Sequence, residues 1–119
     1  MEGNLKITLY DAKNGYNYGE EYLEDLFHSN KKLCSKMLVA IQIFKELGRN
    51  TPTKYSKYLR DGIFELRASI TTNEARELYF FPVGGNEIVI TNGFTKKTQT
   101  TPDRDIEKAK DLMNEYFNS

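Results

Sequence analysis

Side chains suited to holding a phosphate are concentrated in the middle of this chain. Between Arg49 and Thr101 lie eight lysines and arginines (Arg49, Lys54, Lys57, Arg60, Arg67, Arg76, Lys96 and Lys97) against five carboxylates, within a protein of zero formal net charge. Four of the eight fall in RNTPTKYSKYLR (49–60), which contains no acid. Such a stretch is either a phosphate-facing patch set in an acidic remainder or a solvated connector. Arginine suits the first role because it stays charged and can bond two phosphate oxygens at once. Tyr55 and Tyr58 interleave with Lys54, Lys57 and Arg60, and aromatic faces among cations either stack on bases or pack on neighbouring helices. Lys96 and Lys97 close an apolar run and lead into Thr98 and Gln99. They read as a phosphate contact or as a solvated pair ahead of a helix.

Other chemistries find little support. A single histidine, His28, and a single cysteine, Cys34, give no basis for a catalytic zinc or a Cys–His arrangement. VGGN (83–86) reads as a hairpin turn, not a phosphate-cradling loop. No cofactor or metal is expected. One cysteine allows no internal disulfide, which fits a reducing compartment. The sequence has no run long enough to span a membrane and no signal-peptide pattern at MEGNLKITLY, so the cytoplasm is the expected location. Zero net charge argues against a polycation that coats nucleic acid, though not against a local patch.

These side chains need a scaffold, and the length of 119 residues predicts one domain, 1–119. LKITLY (5–10) alternates as a short strand. EEYLEDLF (20–27) has helical spacing with acids in its first turn. Ser29–Asn30 is placed to end that helix and cap the next. In 31–47, Leu33, Met37, Ile41, Phe44 and Leu47 form an amphipathic stripe, with Gly48 as C-terminal cap. GIFELRASI (62–70), RELYFFPV (76–83) and EIVIT (87–91) read as three strands of an antiparallel meander. In the final helix, Thr101 suits the N-cap and Pro102 the first helical position, with Ile106, Ala109, Met113 and Tyr116 as the buried stripe. The predicted order is β-α-α-β-β-β-α, an α+β fold with one sheet face on helices and the other left for function.

LRDGIFELR, then RELYF, then NGFTKKTQTTPDRDIEKA, in that order and spacing, resembles the RelE/ParE toxin superfamily. More narrowly it is similar to the HigB-like, phage-derived branch of type II toxin–antitoxin toxins. The resemblance extends over most of the chain. It implies a RelE-like fold: an N-terminal strand and helical hairpin packed on a small antiparallel sheet, with a C-terminal helix. It also implies a ribosome-dependent endoribonuclease that cuts mRNA in the A site. The implied partners are the ribosome, mRNA and a cognate antitoxin of the helix-turn-helix, HigA-like kind, with DNA reached only through the antitoxin. A non-catalytic protein of the same fold, or a ParE-like gyrase inhibitor, is the alternative.

A metal-independent ribonuclease activates a ribose 2′-OH against the adjacent phosphorus and must stabilise the charge that develops there. On the resemblance, Arg76 matches the arginine of the family's R…Y strand and is the first candidate to clamp the scissile phosphate. Its alternative is a surface ion pair with Glu77 or Glu65. Arg67 either contacts RNA or pairs with Glu65. Lys96 and Lys97 occupy the place where relatives carry a basic residue near the cut, one of them a candidate proton donor if neighbouring cations depress its pKa. Lys54, Lys57, Arg60, Tyr55, Tyr79 and Thr98 are candidates for gripping RNA, with core packing the favoured reading for Tyr79. Two departures stand out: Asn92 replaces a histidine common in HigB-like relatives, and Ile63 and Glu65 stand where RelE proteins carry lysines. Glu65 offers an alternative base if arginine shields it.

Overall fold

The computed structural model describes residues 5–71, 73–96 and 100–119. Its elements run in the order β1 (Lys6–Leu9), α1 (Tyr18–Ser29), α2 (Lys31–Leu47), a 3-10 turn (Gly48–Asn50), β2 (Ser56–Arg60), β3 (Ile63–Ile70), β4 (Asn73–Phe80), β5 (Glu87–Lys96) and α3 (Asp103–Phe117). The helical hairpin forms as its sequence predicts. Asn17 accepts from the Glu20 amide to open α1, and Asn30 accepts from the Leu33 amide to open α2. Leu33, Met37 and Phe44 are buried as expected, joined by Cys34 and Ala40, while Leu47 is exposed.

Three features of the sheet depart from expectation. There are four strands after the hairpin, not three, because the basic connector contains β2. The sheet is mixed, in the order β1-β5-β4-β3-β2, with β1 parallel to β5 and the other pairs antiparallel. Both faces carry helices: α1 and α2 cover Leu66, Tyr79, Ile88 and Ile90, while Ile106 and Ala109 of α3 pack on Ile63, Leu78, Phe80 and Val89. β2 escapes a hydrophobic reading because it is an edge strand with one partner, so it needs no apolar run. Its turn was legible, however. Asp61 and Gly62 both have positive φ, 53° and 85°, as a two-residue hairpin turn with Asp-Gly requires.

β4 is shifted toward the N-terminus, Asn73–Phe80 where 76–83 was expected, and β5 runs longer than predicted. β5 continues through Asn92, Gly93 and Phe94 to Lys96, with a bulge where Leu78 faces Asn92 and Tyr79 faces Ile90. The bulge lets Thr91 and Asn92 turn to the same side. Thr91 Oγ1 donates to Asn92 Oδ1 at 2.7 Å, and Asn92 Nδ2 donates to the Asp105 carbonyl at 3.3 Å. Asn92 therefore ties β5 to the first turn of α3. Pro102, not Thr101, caps α3, which begins at Asp103. Thr101 is used elsewhere, in the site below.

Candidate functional site

On the α3 side of the sheet, beyond the N-terminal end of that helix, three cations and two carboxylates gather on adjacent strands. Register decides which residues meet. Arg67 lies directly opposite Arg76, and Arg76 lies opposite Phe94. Glu74, two residues before Arg76 and so on the same face, lies opposite Lys96. Arg76 and Lys96 therefore share one face of the sheet.

Two arginines directly across from one another repel unless an anion bridges them. Glu65 is that anion: its Oε1 accepts from Arg76 Nε at 3.1 Å, and its Oε2 lies 3.4 Å from Arg67 Nε. Thr101 Oγ1 donates to the same Glu65 Oε1 at 2.7 Å. On the far side, Arg76 Nη2 meets Glu74 Oε1 as a close ion pair, although the contact is not aligned as a hydrogen bond. Arg67 Nη1 also donates to the Thr53 carbonyl at 3.1 Å. The predicted pairing of Arg76 with Glu65 is present. The alternative with Glu77 is not, because an odd-numbered position on β4 puts Glu77 on the opposite face.

Burial makes this cluster electrostatically unusual. Arg76 is 1% exposed, Glu65 2% and Lys96 6%. Desolvation first, then the Arg76 guanidinium, pull the Lys96 ammonium below the ordinary lysine value. Arg76 is thus no surface clamp in the free protein. Its fork is already occupied by two carboxylates, as a phosphate would occupy it.

A groove of about 300 Å³ opens beside the cluster. Lys57 and Arg60 line it from β2, Glu65 and Arg67 from β3, and Thr100 and Thr101 from the approach to α3. Lys57 sits across from Glu65 in the β2–β3 pairing. Arg60 reaches the groove but is spoken for: Asp103 at 2.9 Å and Glu107 at 3.1 Å hold its guanidinium, tying β2 to α3.

The remaining predicted residues divide. Tyr79 is 1% exposed, stacked on Phe64, with its hydroxyl 2.7 Å from Ser56 Oγ; burial raises its pKa to about 12. This places it in the core on the hairpin side, so its expected role beside the phosphate-holding cations is corrected. Tyr55 packs partly against the same core, with the Lys54 ammonium 5.4 Å from its ring centroid. Lys97, Thr98 and Gln99 lie outside the described residues. His28 is exposed at the end of α1, and among the described residues no group of His, Cys, Asp and Glu is arranged to hold a metal ion. Sequence reasoning missed Glu74 and Thr101. The parity of the β4 alternation could have found the first; nothing local marks the second, since its partner is 36 residues away.

The family model described as "Phage derived protein Gp49-like" matches residues 24–114, which include every strand of the site. The chain belongs to this family. Gp49-like proteins are a RelE/ParE-like toxin family of toxin–antitoxin systems, associated with toxin nuclease activity, and membership implies an antitoxin partner. No curated protein matches the chain. For this Gp49-like chain, no helix among the described residues is long and apolar enough to cross a membrane.

Proposed function

We propose that this Gp49-like protein is a toxin of the HigB-like kind that enters translating ribosomes in the cytoplasm and cuts mRNA without a metal. The observation that supports the reading best is the convergence of Arg67, Arg76 and Lys96 around Glu65 on one sheet face, beside a groove that also holds Lys57. In the proposed reaction a base removes the proton of a ribose 2′-OH. The 2′-oxygen attacks phosphorus, the bond from phosphorus to the 5′-oxygen breaks, and an acid protonates that oxygen. A 2′,3′-cyclic phosphate remains.

In this reading Glu65 acts as base, and its contacts with Arg67 and Arg76, which would shield it from phosphate repulsion, support the role. Arg76 and Arg67 neutralise the charge that grows on the phosphorane, an interaction stronger in the transition state than in the ground state. Lys96, with its lowered pKa, is the candidate acid. Lys97 and Thr98 remain candidates for the same phosphate. Lys54, Lys57 and Tyr55 would position ribosomal or messenger RNA through contacts that carry no sequence information. The antitoxin would be a helix-turn-helix protein of the HigA-like kind, linking the toxin to DNA only indirectly.

One observation favours a second reading. Arg76 is enclosed and held by Glu65 and Glu74, so a protein that never opened this cluster would bind partners through the fold without cleaving RNA, as a degenerate toxin or a gyrase-directed one. Induced expression in bacteria with mapping of mRNA ends separates the two. Cleavage inside translated codons, lost in Arg76→Ala and in the double variant Lys96→Ala/Lys97→Ala, is expected. Growth arrest with intact mRNA, or no growth effect, would instead support the non-catalytic reading.

A further inference from the structure

A second pocket lies on the opposite face of the sheet, between the C-terminal end of α2 and strands β2 to β4, with a volume of about 220 Å³. Its depth can be read from burial: Phe44 and Tyr79 form the floor, Phe64 and Phe81 the half-buried walls, and Arg49, Thr53, Lys57 and Tyr58 the exposed mouth. Phe64 is the hub of the rings. Its centroid is 4.9 Å from Tyr58, 5.1 Å from Phe81 and 5.3 Å from Tyr79. The guanidinium of the exposed Arg49 lies 3.9 Å over the Phe81 ring.

The lining chemistry restricts the ligand. Five aromatic rings call for a flat apolar body. Arg49 and Lys57 are the charged lining residues, and no carboxylate joins them, so a cation is disfavoured and an anion favoured. Ser56, Thr51 and Thr53 bring hydroxyls that can donate or accept. The volume is below the roughly 300–1,000 Å³ of pockets that take drug-sized ligands, which suits a single ring system. Lys57 and Tyr58 also line the groove beside Glu65 and Arg67. The pocket and the cationic cluster thus share the edge strand β2 as a common wall.

We propose that this pocket binds the nucleobase of a single-stranded ribonucleotide, with Arg49 and Lys57 receiving its phosphates. The inference rests on the RNA-directed reading above and deepens it: a strand engaged at the cluster crosses β2 and seats a flanking base behind it. The base stacks against Tyr58 and the Arg49–Phe81 pair, which tolerates any base because each has a π-face.

The test uses the full-length protein, adenosine 5′-monophosphate, and a fluorescent 2′-O-methyl oligoribonucleotide that cannot undergo 2′-OH attack. Arg49→Ala and Tyr58→Ala alter exposed side chains, so their folding can be verified by thermal melting. Each is expected to weaken oligonucleotide binding by about tenfold, the order set by loss of one stacking partner. The monophosphate should perturb the NMR signals of Tyr58 and Phe81 and compete with the oligonucleotide. Perturbation by the monophosphate without competition would identify a free nucleotide as the ligand of the same pocket. Unchanged affinity in both variants would overturn the proposal. So would an antitoxin segment that shields Tyr58 where nucleotides do not. A wild-type protein that cuts mRNA while both variants bind and cut equally well removes the pocket and leaves the nuclease. Weakened binding in the variants, with no cleavage by the wild type, removes the nuclease and leaves the pocket.

Discussion

Deleting the Arg76 side chain removes the buried cation that Glu65 and Glu74 share, leaving Arg67 and Lys96 to offset their charge. Breaking a buried pair in this way is expected to destabilise the protein by about 3–5 kcal/mol, seen as a lower urea midpoint. Loss of toxicity in Arg76→Ala therefore has to be read against that unfolding curve, and Arg76→Lys, which keeps a cation but loses the fork, should recover part of the stability. Glu77 presents a different case on the hairpin side of the same strand. It is fully buried, neither carboxyl oxygen has a hydrogen-bond partner, and burial raises its pKa well above the ordinary value. Its surroundings include Tyr22 and Cys34, both also raised by burial. The folded state keeps the Glu77 proton to higher pH than the unfolded chain does. The associated stability is complete below the ordinary glutamate pKa and is lost as pH rises through the raised one. Glu77→Gln should accordingly raise the melting temperature most at the alkaline end of a pH 5–8 series and flatten the profile. An unchanged profile would mean that Glu77 is ionised in the fold.

At the scale of elements, the bulged half of β5 does two jobs. Its Gly93 faces Tyr22 of α1: an added Cβ would stand 2.5 Å from Tyr22 Cδ2, 2.6 Å from Glu77 Oε1 and 2.9 Å from the Arg76 carbonyl oxygen. The last of these is backbone and cannot swing aside. Gly93→Ala should cost about 1–3 kcal/mol by overpacking, measurable by chemical denaturation. Asn92, one residue earlier, fastens α3 through the Asp105 carbonyl. Asn92→Ala is expected to lose about 1 kcal/mol and to increase amide exchange in the first turn of α3. The asparagine that stands where HigB-like proteins commonly carry a histidine thus has a structural occupation here.

Across the whole molecule, a neutral chain separates its charges by place. The acidic helix α1 packs over β5, while the basic strand β2 lies at the far edge of the sheet. RNA binding through that edge should weaken with salt, each phosphate neutralised adding about 0.7 to the slope of log affinity against log salt. Lys57→Ala should reduce the slope by about that amount without changing the pH profile of cleavage. Loss of the profile along with affinity would make Lys57 part of the chemistry.

The sequence by itself determined the helical hairpin, the three central strands and the cationic positions, because periodicity and capping act over a few residues. It also held the Asp61–Gly62 signal for β2, masked by that strand's polarity. What only the tertiary structure decided is the state of those cations. The meeting of Arg67 with Arg76, the bridge from Glu65, the bond from Thr101 and the desolvation of Lys96 depend on strand register and on α3 closing the second face. Both are set by contacts between residues far apart in the chain, which no local pattern records.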